Sequence, residues 1–425
     1  MKILVQKFGG TSLQTPAARK CAVKHVLKAL KSGYAPVVVV SAMGRAGDPY
    51  ATDTMLNWIA DHGGRMPSRE LDLFISCGEV MSAAAMCGLL CEEGIKAIAL
   101  TGAQAGIRTN SEYGNAQIVS IDPAPIRSRL LEGFVVVVAG FQGTDVNGNV
   151  TTLGRGGSDT TATALAAALQ AERVDIFTDV DGVLTADPRI VDEAQRLDVI
   201  SYAEICNMAH HGAKVIHPRA VEIAMQAGVP IRVRSTFSDG FGTLVTSPER
   251  IKQANSRIVD RHVTGITHVS QITQIQITAP PGRYDLHLEV FKTMAQHHIS
   301  VDFINVSPSG VVYTVLEKDA EKASALLRQF GYEPTLTPHC AKVAVIGGGM
   351  NGVPGIMAKI VEALTEEDIR ILQSADSNTT IWVLVKEEQA VNAVRALHRK
   401  FSLHFENLFN PTGEPAFGNT QEGGA

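Results

Sequence analysis

Two glycine-rich segments carry side chains suited to binding phosphate. Residues 7–12 read KFGGTS and residues 154–161 read GRGGSDTT. Glycine lets a backbone approach an anion closely, and the free amides at the start of a helix favour negative charge. Lys7 can reach a phosphate as a point charge, and Arg155 can hold a carboxylate or phosphate through two parallel hydrogen bonds. The two segments therefore predict two anion-binding loops.

Each loop also has an ordinary structural explanation. The first lacks the GxxxxGK[ST] spacing of a P-loop, so it could be a tight strand-to-helix turn with a solvated lysine. The second opens the helix-prone stretch 162–169, so we predict that Ser158 or Asp159 caps that helix. Capping alone would account for Asp159. An arginine among glycines directly before the cap is harder to explain by structure.

A carboxylate and two hydroxyl groups lie between the loops. Residues 76–79 (SCGE) predict the start of a helix with Glu79 in its first turn, where the helix dipole stabilises an acid. Among so many cationic and amide donors, Glu79 would also suit the ammonium group of a substrate. Ser41 and Thr52 add hydroxyl groups near the end of another apolar run.

Two later segments supply candidates for binding a nucleotide. Residues 178–189 (TDVDGVLTADPR) alternate acids as a calcium loop does, but they lack its glutamate at the twelfth position. A turn explains part of this segment, and Asp179 and Arg189 remain candidates for nucleotide contacts. Residues 212–219 (GAKVIHPR) place Lys214 near the same edge, although a surface helix end explains this lysine equally well.

The elements between these motifs predict one large α/β domain over residues 1–246. Short apolar runs alternate with longer helical stretches, and several runs are β-branched throughout, as strands buried on both faces of a parallel sheet must be. Small or polar residues follow each run, and ligands of open α/β sheets gather at the carboxyl ends of the strands. The predicted strands are residues 3–5, 37–40, 97–100, 135–138 and 174–177.

The rest of the chain repeats itself. After a polar linker at residues 247–262, the apolar spacing of residues 290–327 recurs 70 residues later. Each unit has the order strand, glycine/proline loop, helix, strand, strand, helix, which predicts duplicated α+β domains over residues 263–340 and 341–408. The polar, glycine-rich residues 409–425 predict a flexible tail.

Composition argues against several classes of protein. The 425-residue chain has a net charge of −5 with 45% hydrophobic residues, which is typical of a folded protein and not of a nucleic-acid binder. No apolar run reaches the roughly 18 residues that a membrane span needs, and no signal peptide is visible. The six cysteines lack CxxC spacing, so neither disulfides nor a zinc site are indicated. We expect a cytoplasmic protein without nucleic-acid or membrane partners.

Six blocks together resemble the aspartokinases of the amino-acid kinase superfamily. They occur in the family's order as KFGGTS (7–12), SAMG (41–44), CGE (77–79), GRGGSDTTA (154–162), TDVDGVLTADPR (178–189) and GAKVIHPR (212–219). The repeat resembles the paired ACT domains with which these kinases bind effectors. The chain is expected to be the monofunctional form, without a homoserine dehydrogenase domain.

The resemblance implies an amino-acid-kinase fold, an open and mostly parallel sheet flanked by helices, followed by two ferredoxin-like ACT domains. It implies phosphorylation of the L-aspartate β-carboxylate by ATP and Mg²⁺, giving 4-phospho-L-aspartate on the route to lysine, threonine and methionine. The nucleophile is already a carboxylate, so catalysis would consist of positioning and neutralising charge. Mg²⁺ would be held mainly by the ATP phosphates, because no acidic cage is visible.

The same resemblance assigns roles to individual residues. Lys7 contacts the transferred phosphate, and Asp159 orients Lys7. The expected contacts with aspartate are Ser41, Thr52, Glu79, Arg155 and Ser158. The expected contacts with ATP are Lys7, Gly9, Gly10, Thr11, Thr178, Asp179, Leu184, Arg189, Lys214 and Val215. Leu184 stands where relatives often have an aromatic residue, and an insertion at residues 45–51 precedes Thr52.

For the repeat, the resemblance implies feedback inhibition by diaminopimelate or lysine and a homodimer formed through the ACT domains. The sequence does not choose among lysine, diaminopimelate and threonine. The expected effector contacts are Gly282, Arg283, Tyr284, Asp285, Val301, Asp302 and Ser307. Two alternatives remain open. A kinase of acetylglutamate, glutamate or uridylate is disfavoured by the ACT-like repeat, and a non-catalytic amino-acid sensor is disfavoured by the complete set of catalytic side chains.

Overall fold

The computed structural model describes residues 1–62, 66–213, 215–254, 262–279 and 285–404. Up to residue 246 the strands are β1 (Lys2–Phe8), β2 (Tyr34–Val40), β3 (Ala97–Leu100), β4 (Ile107–Thr109), β5 (Ile118–Ile121), β6 (Val135–Ala139), β7 (Gln142–Thr144), β8 (Val150–Thr152), β9 (Arg173–Thr178), β10 (Val199–Ser201), β11 (Ile231–Ser235) and β12 (Thr243–Thr246). The helices are α1 (Gly10–Leu13), α2 (Pro16–Lys31), α3 (Thr52–His62), α4 (Ser68–Glu92), α5 (Ala124–Leu131), α6 (Gly157–Leu169), α7 (Tyr202–His210) and α8 (Pro218–Ala227).

The amino-terminal domain is built on an eight-stranded sheet in the order β10–β12–β11–β9–β1–β2–β6–β3. Its centre is parallel, since β1 pairs with β2 on one side and β9 on the other, and only β11 and β12 pair antiparallel. Helices cover both faces, which is why the strands are apolar throughout. All five strands predicted from apolar runs belong to this sheet, so the α/β class is confirmed.

Two features of this domain were not predicted. A separate four-stranded sheet has the order β5–β4–β7–β8. Helix α4 runs for 25 residues and is long and apolar enough, by length and composition, to cross a membrane. Its residues Ala83, Met86 and Leu90 pack into the hydrophobic core beneath the large sheet, as expected for the core helix of a globular domain.

The remaining elements belong to the repeat region, apart from a short helix within the predicted linker, α9 (Pro248–Ala254). The strands are β13 (Gly265–Thr278), β14 (Asp302–Ser307), β15 (Gly310–Leu316), β16 (Thr335–Ile346), β17 (Gln373–Asp376) and β18 (Thr380–Lys386). The helices are α10 (Leu286–Gln296), α11 (Glu317–Gln329), α12 (Ile356–Thr365) and α13 (Ala390–Lys400), with a 3₁₀ turn at Glu387–Gln389. The predicted tail at residues 409–425 lies outside the described residues.

The repeat predicted from the sequence is confirmed by the positions of these elements. Helices α10 and α12 begin at Leu286 and Ile356, and strands β15 and β18 begin at Gly310 and Thr380, 70 residues apart in both cases. The two units share one antiparallel sheet, β14–β15–β13–β16–β18–β17. The long strands β13 and β16 pair along both halves, so they join the units at the centre.

The repeat region packs directly on the amino-terminal domain. Ala344, Ile346 and Trp382 of its sheet contribute to the same hydrophobic core as Ile205 and Met208 of helix α7. The two regions are therefore connected through α7 as well as through the chain.

Candidate active site

The carboxyl ends of the central strands converge as the parallel topology requires. The Ser41 amide donates to the carbonyl of Phe8, and the Gly140 amide donates to the carbonyl of Val40. The Gly9 amide donates to the carbonyl of Phe177. These bonds tie the ends of β1, β2, β6 and β9 into one edge, and the two glycine-rich loops meet there.

The two loops are joined by an ion pair. The Lys7 ammonium, on β1, lies 2.6 Å from a carboxylate oxygen of Asp159, and only 12% of each side chain is exposed. The backbone amide of His217 donates to the other oxygen of Asp159 at 3.3 Å. Asp159 therefore contacts the Lys7 ammonium through one oxygen and the His217 amide through the other.

The helix behind the second loop begins differently from the prediction. The N-cap of α6 is Gly156, with a φ of 68°, and no side chain caps the helix, so the prediction that Ser158 or Asp159 is the cap is wrong. Gly156 is required by contact as well as by its backbone angle. A Cβ atom there would lie 2.1 Å from the ring of His217. The left-handed cap frees Asp159 for Lys7.

Glu79 lies in an unusual environment. It is in the middle of α4, so its predicted place in a first turn is wrong. One carboxylate oxygen accepts the Ala42 amide at 3.0 Å, while the other is buried and has no partner among the described residues. Burial raises the pKa of Glu79 to about 8. A buried acid with one unused oxygen is suited to receive a cationic group from a ligand.

The other predicted aspartate contacts surround this edge. Arg155 is exposed in the second loop and makes no ion pair with any described residue, and Ser158 is buried in the first turn of α6. Thr52 begins helix α3. The segment around it rests on Gly78, where a Cβ atom would lie 2.8 Å from Met55 and 3.2 Å from the Tyr50 carbonyl. The insertion before Thr52 therefore still brings α3 beside Glu79.

The first loop is fitted closely to the loop that carries Ser41. A Cβ atom at Gly10 would lie 2.4 Å from the carbonyl oxygen of Gly44, and the Gly44 amide donates to the Gly10 carbonyl at 2.9 Å. Arg45, in the insertion, forms a 2.5 Å ion pair with Asp179. Sequence reasoning missed Arg45, and its position in an insertion was the only signal available.

Only some of the residues predicted to contact ATP lie at this edge of the sheet. Gly9 caps the short helix α1, with Thr11 in that helix, and Thr178 ends β9 at the same edge. Leu184 is half-buried, and Arg189 is exposed and pairs with Asp187 at 2.6 Å. Val215 packs against the main core, and Lys214 lies outside the described residues.

Two of the carboxylates near the edge already form ion pairs with cations. Asp159 pairs with Lys7 and Asp179 with Arg45. Within the described parts of the chain, the two groups of side chains close enough to share a metal ion are Cys206–His210–Glu222 and Glu317–His339–Glu387, and neither contains a predicted catalytic residue. This arrangement fits a magnesium ion that is carried by the phosphates of the nucleotide.

The predicted effector residues are spread over the first repeat unit. Asp285 is the N-cap residue of α10, Val301 packs against the unit's core, and the Ser307 hydroxyl lies 2.9 Å from that of Ser309. Asp302 is exposed but forms an ion pair with Lys342. Gly282, Arg283 and Tyr284 lie outside the described residues.

Known protein families and individual known proteins match both regions of the chain. The sequence profile of the amino acid kinase family matches residues 2–235, and that of the ACT domain matches residues 335–399. Aspartokinase 1 of Bacillus subtilis (strain 168) is 55% identical over 403 residues, covering 95% of this chain and 100% of that protein. An aspartokinase of Geobacillus stearothermophilus is 39% identical over 409 residues, covering 95% and 98%.

Solved structures are similar over nearly the whole chain. E. coli aspartokinase III in complex with aspartate and ADP, in the R-state, has a TM-score of 0.74 and 27% identity, covering 94% of this chain and 99% of that chain. The same enzyme in complex with lysine and aspartate, in the T-state, has a TM-score of 0.72 and 28% identity with the same coverage.

Proposed function

The chain belongs to the aspartokinases of the amino acid kinase family, and from this premise we propose that it transfers the γ-phosphoryl group of ATP to the β-carboxylate of L-aspartate. The observation that carries the proposal is the buried, unpaired oxygen of Glu79 at the strand edge that also carries the Lys7–Asp159 pair. The Ala42 amide that binds Glu79 follows directly after Ser41, whose own amide binds the end of β1. A substrate ammonium on Glu79 would hold the rest of the molecule near Lys7.

The proposed chemistry needs positioning and charge rather than a general base. The attacking group is a carboxylate, which is ionised at neutral pH. Lys7 stabilises the negative charge on the transferred phosphoryl group, and Asp159 with the His217 amide keeps Lys7 in place. Bound Mg²⁺ supplies further neutralisation of the phosphates. The amides of Gly9, Gly10 and Thr11 would cradle them.

Recognition of aspartate is divided between its two charged ends in this proposal. Glu79 takes the ammonium group, because its buried free oxygen has no other partner in the described chain. Arg155 takes the α-carboxylate, because it is exposed on the second glycine-rich loop and pairs with no acid among the described residues. Ser41, Thr52 and Ser158 would add hydroxyl contacts. The nucleotide would be held by Thr178, Asp179, Leu184, Arg189, Lys214 and Val215.

We further infer that the enzyme supplies the first intermediate for lysine, diaminopimelate, threonine and methionine synthesis and that lysine or diaminopimelate inhibits it. A lysine complex of E. coli aspartokinase III supports an amino-acid effector. The ACT repeat would form a homodimer. All six cysteines are free thiols, which supports a reducing, cytoplasmic setting.

The test is a coupled assay of ADP release with L-aspartate, L-glutamate, N-acetyl-L-glutamate and UMP as separate acceptors. We expect kcat/KM for aspartate to exceed that for each other acceptor by at least about 100-fold, because only aspartate places its ammonium and β-carboxylate correctly. Faster turnover of another acceptor would reassign the substrate. No turnover with any of them would favour the non-catalytic sensor.

A paired substitution tests the assignment of the two charged ends. Glu79→Gln and Arg155→Gln should each raise KM for aspartate by at least about tenfold, because each leaves a charge of the substrate unpaired. KM for ATP should stay within about threefold of the wild type. Equal increases in both KM values would contradict the assignment.

A further inference from the structure

Lys342 is a buried cation in the repeat region that none of the roles above explains. Strand β16 alternates, so Ala341, Val343 and Val345 face helices α12 and α13. Lys342 is on the other face, with Ala344 and Ile346, which pack on the amino-terminal domain. Only 6% of the Lys342 side chain is exposed. A lysine is rarely buried so deeply unless it has a counter-charge.

The counter-charge of Lys342 is Asp302, and the two members of this pair differ greatly in exposure. Asp302 begins the edge strand β14, and 64% of its side chain is exposed. No other carboxylate in the described part of the chain lies within ion-pair distance of Lys342. A dissolved cation can therefore reach the acid, while the lysine cannot follow it into water.

On the kinase side, the positive charge of Lys342 acts on a buried histidine. His211 follows the last turn of α7, and its Nε2 accepts the indole N–H of Trp382 at 2.9 Å. Burial, and then the positive charge of Lys342, lower the pKa of His211 to about 4. At neutral pH the imidazole of His211 is therefore uncharged and does not neutralise Lys342. A positive charge on His211 would be repelled by the Lys342 ammonium.

Helix α7 links this contact to the catalytic pair. At its first turn, one oxygen of Glu204 accepts the Thr264 hydroxyl at 2.5 Å and the Gly348 amide at 2.9 Å, both from the repeat region. Its other oxygen accepts the Ser201 amide at the start of α7. Beyond the last turn, a Cβ atom on Gly212 would lie 2.2 Å from the carbonyl oxygen of His268. The helix is thus anchored at both ends on the six-stranded sheet of the repeat region, which we call the regulatory sheet.

Six residues after His211, the His217 amide donates to Asp159, which pairs with Lys7. A movement of α7 against the regulatory sheet would therefore be passed to the acid that orients the catalytic lysine. Helix α7 therefore lies between two ion pairs, Asp302–Lys342 in the repeat region and Asp159–Lys7 in the amino-terminal domain.

We propose that Lys342 couples effector binding to catalysis: a small amino acid whose ammonium group takes Asp302 leaves Lys342 buried without a counter-charge beside His211. Breaking one side of a buried ion pair is strongly unfavourable, and the strain is relieved when α7 shifts away from the sheet. The shift withdraws His217 from Asp159 and lowers the rate of transfer. This inference rests on the proposed function, since it takes Asp302 as the effector's site.

The test separates binding of the effector from inhibition by it. The Lys342→Met variant has no buried positive charge, and its Asp302 carboxylate no longer pairs with a lysine. We expect L-lysine or meso-diaminopimelate to bind at least as tightly as to the wild type by isothermal titration calorimetry. We expect the concentration that halves aspartate-dependent activity to rise at least tenfold, with uninhibited kcat within threefold of the wild type. Lys342→Arg, which keeps the charge, should stay inhibited.

A matched control is Lys386→Met on the neighbouring strand β18, where the ammonium contacts the Pro338 carbonyl and not an acid. It should leave inhibition unchanged. Inhibition of Lys342→Met equal to that of the wild type, or loss of effector binding in a variant that melts like the wild type, would overturn the proposal. The proposal would also be overturned if the wild type were active but were inhibited by none of lysine, diaminopimelate and threonine. The assignment as a kinase would survive that result. An inactive wild type would instead remove the proposed function.

Discussion

The molecule contains two lysine–aspartate pairs whose surroundings differ in one respect. Lys7 and Asp159 in the catalytic edge are equally shielded, with 12% of each side chain exposed. Lys342 and Asp302 in the regulatory sheet are unequal, at 6% and 64%. The first acid also accepts the His217 amide, while the second accepts only the amide of its neighbour Phe303 from the backbone.

The difference shows how the same two residue types can serve opposite purposes. When both members are shielded and the acid has a second donor, the pair holds one geometry, which suits catalysis by fixed charges. When the acid alone is exposed, a solute can compete for it and the lysine is left behind. The first pair is shielded from competing solutes, whereas the acid of the second pair is open to them.

The largest effect should come from breaking the first pair. Lys7→Met and Asp159→Asn should each lower kcat by at least about 100-fold with smaller changes in ATP affinity, because both act on charge that develops during transfer. Steady-state kinetics with aspartate measures this. The control Lys2→Met lies on the same strand with 74% of its side chain exposed, and it should be indistinguishable from the wild type. Catalytic variants within a few-fold of the wild type would contradict the role of the pair.

The contact between the His217 amide and Asp159 can be disturbed through Gly156, which packs against His217. Gly156→Ala would press a Cβ atom against the His217 ring at a φ of 68°, so it should destabilise the fold by more than about 2 kcal/mol and also lower kcat. Gly148→Ala is the matched control, because it has a φ of 82° but no heavy atom within 4 Å of the new Cβ. It should cost about 1 kcal/mol and leave kcat unchanged. Urea unfolding compares them, and equal costs would show that the contact with His217 is unimportant.

The pH dependence distinguishes the two regions further. Below its pKa of about 8, Glu79 is protonated, and it must lose that proton to bind an ammonium group. KM for aspartate should therefore fall as pH rises from 6 to 8, by up to about tenfold per unit, and then level off. His211 stays neutral across this range. Glu79→Gln should give a flat profile, and a sloping profile in that variant would assign the dependence to another group.

The smallest effect belongs to an exposed pair. Arg45 and Asp179 lie 2.5 Å apart but are 64% and 42% exposed, so solvent and salt screen their attraction. Arg45→Ala should change stability by less than about 1 kcal/mol, measured by urea unfolding. KM for ATP should stay within about threefold. A large loss of ATP affinity would make Arg45 a nucleotide contact in its own right.

The sequence predicted most of the fold because its signals were local. Buried parallel strands are apolar throughout, and the 70-residue repeat fixed the order of the regulatory elements. The four-stranded sheet was not predicted, because its strands have only three or four residues, too few to show the alternating hydrophobic pattern of a strand. Helix α4 was placed too late because its first turns carry no capping side chain at Pro67.

The sequence offers candidate site residues where chemistry and spacing coincide in one segment, and it misses contacts whose partners come from distant segments. Lys7 and Asp159 belong to the two glycine-rich motifs, and Glu79 belongs to a short SCGE motif that the structure places within helix α4. The role of Lys342 depends on Asp302, 40 residues earlier, and on His211 in another domain, so no local pattern carries it. The His217 amide on Asp159 is a backbone contact, which no side-chain motif can predict.

In the proposed function, the free oxygen of Glu79 selects an amino acid as the substrate that meets the Lys7–Asp159 pair. The most direct measurement compares kcat/KM for L-aspartate with that for succinate, which keeps the reacting carboxylate but lacks the ammonium group. The wild type should favour aspartate by at least about 100-fold, and Glu79→Gln should narrow the ratio at least tenfold. A wild type that phosphorylates succinate as well as aspartate, or a ratio unchanged by Glu79→Gln, would contradict the account.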